Sequence, residues 1–233
     1  MVFEPKTNNE LKRAVNLWCN NKEKALDQYG EINTWNIINI TSMNELFANN
    51  INFNDNISNW DTSKVTTMTY MFSGCKEFNQ SLNNWNISNV ICMCYMFNGC
   101  TEFNQPLNNL NTSNVVCMSY MFYNCVNFNQ PLNNWNTSNV TNMTAMFYEC
   151  DKFNQSLNNW DTSNVTNMGY IFYGCIKFNQ DLDNWDLTSL KQCIKMFHKC
   201  CSYSYPLFNW TDYDIIMNTQ IFDRAFNKKL SKV

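Results

Sequence analysis

Six cysteines, Cys75, Cys100, Cys125, Cys150, Cys175 and Cys200, recur every 25 residues. Thiols in such a series can close disulfides, hold a soft metal, act as nucleophiles or redox groups, or fill space. A disulfide needs Cα atoms about 4.4–6.8 Å apart. Neighbouring strands lie about 4.8 Å apart and packed helices about 8–10 Å, so the element that carries the ladder decides its chemistry. Cys92, Cys94 and Cys117 lie off the ladder, and the Cys92-Met93-Cys94 spacing is not that of a zinc knuckle. His198 is the single histidine, so a mixed zinc site has little to draw on. With five glycines in the whole chain there is hardly room for a glycine-rich phosphate loop. Asp61, Asp161 and Asp186 occupy a position filled by asparagine in other units, which points to a repeated hydrogen-bonding role rather than acid–base chemistry. Catalytic, cofactor-binding and metal-ligating residues are therefore read as none, and an enzyme is not expected.

The elements that must position these residues are set by the repeat itself. Complete units begin at Phe53, Phe78, Phe103, Phe128, Phe153 and Phe178. Trp35 and Trp210 keep the same phase in degenerate flanking units, which makes about eight coils. In the unit from 128 the apolar positions are Phe128, Leu132, Trp135, Val140, Met143, Met146, Phe147 and Cys150. The last four stand at i, i+3, i+4 and i+7, so the spacing predicts a short helix over 140–150, capped by Ser138 or Asn139. Residues 132–137 read as extended, with Pro106, Pro131 and Pro206 at the start of such segments. Burial of one unit's apolar positions cannot outweigh the entropy of ordering its 25 residues, so neighbouring units must stack. The resulting expectation is an α/β solenoid with a strand-like segment and a short helix in each coil. The cysteine ladder falls at the helix end, where adjacent coils are too far apart to bridge without strain. Packing as a small hydrophobe is then the first reading, with disulfides and metal or redox chemistry behind it.

Domain organisation follows as a helical cap over 1–30, a repeat region over 31–202, and a degenerate last repeat with a C-terminal cap over 203–233. In the first cap Thr7 or Asn8 starts a helix with an apolar stripe at Leu11, Ala14, Val15 and Trp18, and Gly30 suits the end of a second helix. Near the C-terminus Trp210, Ile215, Ile221 and Phe222 hold the phase. Asn54, Asn79, Asn104, Asn129, Asn154 and Asn179 never vary and read as an inward ladder bonding to the backbone of their own and the next coil. Tyr70, Tyr95, Tyr120 and Tyr170 share one outward phase, and Tyr123, Tyr148 and Tyr173 another. They read either as an interaction surface or as side chains lying against neighbouring coils.

Net charge is −3 and charged residues make up only 15%, so the chain lacks the basic field that nucleic acid requires. At 45% hydrophobic and 15% aromatic it is too apolar to be disordered. No apolar run reaches about 18 residues, which excludes a transmembrane helix. The N-terminal stretch lacks a signal-peptide core, so the expected location is intracellular, with the twelve cysteines as reduced thiols.

The signature F-N-Q-x-L-x-x-W-[ND]-x-S-x-V-x-x-M-x-x-M-F-x-x-C resembles the repeat of BspA-like bacterial surface proteins over about residues 29–222. That repeat is also abundant in mycoplasma lipoproteins and in proteins of giant DNA viruses. The resemblance implies a leucine-rich-repeat-like right-handed superhelix in a family of unknown function, with a general role in protein or surface interaction. The asparagine-heavy, unanchored form looks most like the giant-virus members, which implies host cytoplasm or virion. The expected role is a non-catalytic protein-interaction scaffold, monomer or dimer, with a protein partner and no cofactor, nucleic acid or membrane. A structural, virion-surface or adhesin role is the alternative, and an enzyme is third.

Overall fold

The computed structural model describes residues 2–206 and 210. It opens with two helices, α1 (Asn8–Asn20) and α2 (Lys22–Tyr29), followed by a 3₁₀ turn at Ile32–Thr34. Thr7 caps α1 by accepting from the Glu10 N–H at 3.2 Å, one of the donors a helix start leaves without an internal partner. Leu11, Ala14, Val15 and Trp18 are the buried stripe. Asn21 caps α2, and Gly30 ends it at φ 70, a left-handed conformation that costs glycine no Cβ clash. The pair covers the first coil and supplies what its edge lacks. Asn8 Oδ1 accepts from the Thr41 and Ser42 N–H groups at 3.1 and 3.3 Å, and Trp18 Nε1 donates to Asp55 at 2.7 Å.

From there the chain winds in 25-residue coils stacked in register, and no helix continues into them. The expected α/β solenoid, with a helix over 140–150 and a strand in each coil, is overturned. Among the described residues the coils contain no helix longer than the 3₁₀ turn and no sheet. Their regular pairing is six isolated parallel bridges, from Ser42↔Thr67 to Asn167↔Gln192. The bridges also fall outside the segment expected to be extended, since 132–137 is turn and irregular backbone.

The hydrogen bonds give the physical reason. An α-helix uses its N–H groups internally, each on the carbonyl four residues back. Here alternate N–H groups cross to the next coil: Met93 to Cys117, Tyr95 to Ser119, Phe97 to Met121 and Gly99 to Tyr123, at 2.7–3.1 Å. The residues between them close i→i+3 turns, with Met96 donating to Met93, Asn98 to Tyr95 and Cys100 to Phe97. Turns with a left-handed third residue need positive φ there, and two columns supply it. One holds Glu45, Tyr70, Tyr95, Tyr120, Ala145, Tyr170 and Lys195; the other holds Asn49, Gly74, Gly99, Asn124, Glu149, Gly174 and Lys199. A chain of such i→i+3 turns returns side chains to one face about as often as a helix does. Met143, Met146, Phe147 and Cys150 are therefore all buried without being helical.

In-register stacking builds the core as columns of identical side chains. Phe47, Phe72, Phe97, Phe122, Phe147, Phe172 and Phe197 form one stack with centroids 5.5–5.8 Å apart. Phe53 through Phe178 and on to Tyr203 form another at 5.8–6.0 Å. These separations lie in the favourable range for aromatic pairs. Tryptophan indoles reach back one coil, as when Trp135 donates to the Leu107 carbonyl at 2.9 Å and Trp160 to Leu132 at 3.0 Å. Of the region read as the C-terminal cap, Ile215, Ile221 and Phe222 lie outside the described residues. Trp210 is described: it stacks on Trp185 and donates to Leu182.

Candidate functional site

The inward columns of the stack mostly repeat one kind of side chain, so the columns that face outward or change type along the stack are the candidates for a functional site. The cysteine ladder faces inward. Cys75, Cys100, Cys125, Cys150, Cys175 and Cys200 are buried, and each thiol donates to a phenylalanine carbonyl of the preceding coil, from Cys75 to Phe47 at 3.0 Å through Cys200 to Phe172 at 2.7 Å. Burial pushes Cys75 up to about 12 and Cys100, Cys125, Cys150 and Cys175 well above the ordinary thiol range. Such thiols stay protonated and have no access to a substrate.

The asparagine ladder is not fully buried: Asn54 and Asn154 are exposed, and Asn79, Asn104, Asn129 and Asn179 are half-buried. Each Oδ1 accepts from the asparagine N–H one coil on and from the following glutamine. Asn54 accepts from Asn79 and Gln80, Asn79 from Asn104 and Gln105, Asn104 from Asn129 and Gln130, Asn129 from Asn154 and Gln155, and Asn154 from Asn179 and Gln180, all at 2.8–3.1 Å. Asn179 accepts from Ser204. With their carbonyls engaged in this way, these asparagines join coil to coil. Asp61, Asp161 and Asp186 accept from the N–H two residues on, as Asn86, Asn111 and Asn136 do. Their carboxyls are held below the usual range by the hydroxyl and N–H of Ser63 and Ser163 and, for Asp186, by the N–H and then the hydroxyl of Thr188.

The tyrosines form rows. Tyr70, Tyr95 and Tyr120 stack with centroids 4.3 and 4.4 Å apart, and Tyr123, Tyr148 and Tyr173 at 4.5 Å. Tyr120 meets Tyr123 at 5.8 Å and Tyr170 meets Tyr173 at 6.0 Å, so the two rows join into one half-buried aromatic patch. Ala145 interrupts the first row between Tyr120 and Tyr170. His198 extends the second, stacking on Tyr173 at 5.1 Å. Burial, followed by the neighbouring phenols, raises Tyr95; burial and then Glu149 raise Tyr123 and Tyr148.

A third feature is the group Cys92, Cys94 and Cys117, whose spacing in the sequence predicts no metal site but which the fold brings together. The bridge column runs Ser42, Thr67, Cys92, Cys117, Asn142, Asn167 and Gln192. Two residues further on, across an inward methionine such as Met93, stand Thr69, Cys94, Ser119 and Thr144. In extended backbone residues i and i+2 share a face, so Cys92 and Cys94 project together and Cys117 and Ser119 project beside them. The three sulfurs all lie within 4.8 Å of one another. Cys92 Sγ lies 3.1 Å from Cys94 Sγ, and Ser119 Oγ lies 3.2 Å from Cys117 Sγ and 3.3 Å from Cys94 Sγ. Thr69 Oγ1 donates to Cys92 Sγ at 3.2 Å. The contacts with the Cys117 and Cys94 sulfurs lower the Cys92 thiol, while the contacts with Cys117 and Cys92, and then burial, raise Cys94. The signal was present in the sequence, since Cys92 and Cys117 are one repeat apart. It was lost because a helix would turn residues 92 and 94 to different faces.

Among the described residues no helix is long and apolar enough to cross a membrane. A family model described as Mycoplasma protein of unknown function, DUF285, matches residues 16–135 and, overlapping it, residues 117–233. No curated protein and no solved structure matches the chain.

Proposed function

The chain belongs to the DUF285 repeat family, and from that premise we propose that it is a non-catalytic scaffold that binds a protein partner along its tyrosine patch. The observation that carries this reading is the joined pair of tyrosine rows, with rings fixed face to face at 4.3–4.5 Å by the register of the coils. Tyrosine offers large amphipathic contact area with few torsions to freeze, and rings already stacked lose little freedom on binding. The asparagine-rich positions use their polar groups on their own and neighbouring coils and repeat almost unchanged, so they offer a partner little to distinguish one coil from the next. In the tyrosine rows Ala145 and His198 break the repetition and give the patch a register.

Within the family we place the chain with the giant-virus members, on its asparagine-rich coils with 15% charged residues, and its site of action inside the host cell or virion. The test is affinity capture with the full chain against a Tyr95→Ala, Tyr120→Ala, Tyr123→Ala variant whose circular dichroism matches wild type. Partners lost with the three rings support the reading. An unchanged set of partners removes it.

A further inference from the structure

We propose that Cys92, Cys94 and Cys117 form a binding site for one soft, thiophilic metal cation, of which Zn(II) is the representative, at a place where two adjacent coils depart from the repeat. The inference is independent of the tyrosine patch.

Three observations carry it. The first is the donor set. Thiolates select soft and borderline cations such as Zn(II) and Cu(I), and three of them converge here with all sulfurs within 4.8 Å. Bonds of about 2.3 Å to a tetrahedral zinc place sulfurs about 3.8 Å apart. The sulfurs now span 3.1 Å for the Cys92–Cys94 pair up to the 4.8 Å limit, so shifts of about 1 Å or less reach that geometry.

The second is preorganisation. The backbone beneath the cluster is tied on both sides, with Met68 N–H donating to Cys92, Met93 to Cys117, Tyr95 to Ser119 and Met118 to Asn142 at 3.0–3.1 Å. Outer partners are also in place: Thr69 Oγ1 donates to Cys92 Sγ and Ser119 Oγ to Cys94 Sγ, the kind of bond that orients and stabilises a ligating thiolate. Cys94 and Ser119 are buried while Cys92 and Cys117 are half-buried, so one side stays open for entry and for a fourth, solvent ligand.

The third is that the fold does not ask for cysteine at these positions. The same two columns hold Thr67 and Thr69 one coil before and Asn142 and Thr144 one coil after, with the bridge intact. The inward ladder, by contrast, holds cysteine in every complete unit. Within these two columns, among the described residues, cysteine appears only in two adjacent coils, where their side chains can combine. Binding forms three metal–sulfur bonds in place of three S–H bonds and releases the three thiol protons to solvent, with no change of oxidation state.

The test uses the full chain, reduced, stripped of metal and kept anaerobic. Titration with Co(II) should develop thiolate-to-cobalt charge-transfer bands and the intense visible bands of a tetrahedral site, saturating at one equivalent, and Zn(II) should bleach them. Cys92→Ser and Cys117→Ser should each weaken Co(II) binding at least tenfold, whereas Cys201→Ser, an exposed cysteine outside the cluster, should leave it unchanged. Circular dichroism of each variant should match wild type. The proposal is overturned if the folded wild type gives no such bands, if the bands survive Cys92→Ser and Cys117→Ser, or if two of the three sulfurs form a disulfide in air despite an equivalent of Zn(II).

Discussion

Two regions of this molecule carry the same apolar spacing. Leu11, Ala14, Val15 and Trp18 in α1 stand at i, i+3, i+4 and i+7, and so do Met143, Met146, Phe147 and Cys150 in a coil. Both sets are buried, yet the first is helical and the second is a run of turns. The difference lies in what stands 25 residues away. Around α1 no copy exists to accept its N–H groups, so they bond within the helix. Every coil has a copy above or below, and Phe122 N–H finds the Met146 carbonyl at 2.9 Å. Apolar spacing therefore reports which side chains face inward, while the partner available to the backbone decides the element.

The largest effect expected from breaking this comparison comes from the stacked core. Phe147 is fully buried between Phe122 and Phe172, at 5.6 and 5.8 Å. Phe147→Ala is expected to cost about 3–5 kcal/mol, read from urea unfolding, because it opens a void against both neighbouring coils. Val15→Ala in α1 should cost about 2 kcal/mol. A smaller cost in the stack than in the cap would contradict the column packing.

Glycine substitutions sharpen the comparison by sign. Ala14 sits inside α1, so Ala14→Gly should lower stability by about 1 kcal/mol. Ala145 holds φ 51, strained for any residue with a Cβ, so Ala145→Gly should raise stability by about 1 kcal/mol. If both changes destabilise equally, residues around 145 are helical after all.

Much of this was legible in the sequence. The 25-residue period, the inward columns and the helical cap with Thr7 and Gly30 can all be read from residue types, because hydrophobic burial and capping are local properties. The turn-built coil was not read, although its signs were there: Gly74, Gly99, Asn124 and Gly174 share a column that favours left-handed backbone, and the polar positions hold threonine, serine and asparagine rather than strong helix formers. The thiol cluster was hidden by the same error, since only extended backbone puts Cys92 and Cys94 on one face.

The smallest effect concerns the asparagine–aspartate interchange. The Ser163 hydroxyl, followed by its N–H, holds Asp161 below the ordinary carboxylate range. That contribution is present above the unfolded-state value and is lost as pH falls through the folded one. Asp161→Asn keeps the acceptor seen at Asn136 and should change stability by less than about 0.5 kcal/mol at neutral pH. It should also remove this residue's share of the acid-induced loss, measured as urea midpoints at neutral and acid pH. A large neutral-pH loss would mean that the charge, and not the turn, is what the position requires.

The central claim, that the coils bond across the stack and not along a helix, is tested most directly by scalar couplings transmitted through hydrogen bonds, measured by NMR on the labelled full chain. The account predicts couplings from the Phe122 amide nitrogen to the Met146 carbonyl carbon and from Phe147 to Ile171. A coupling from Phe147 to Met143, four residues back, in place of the one to Ile171 would contradict it.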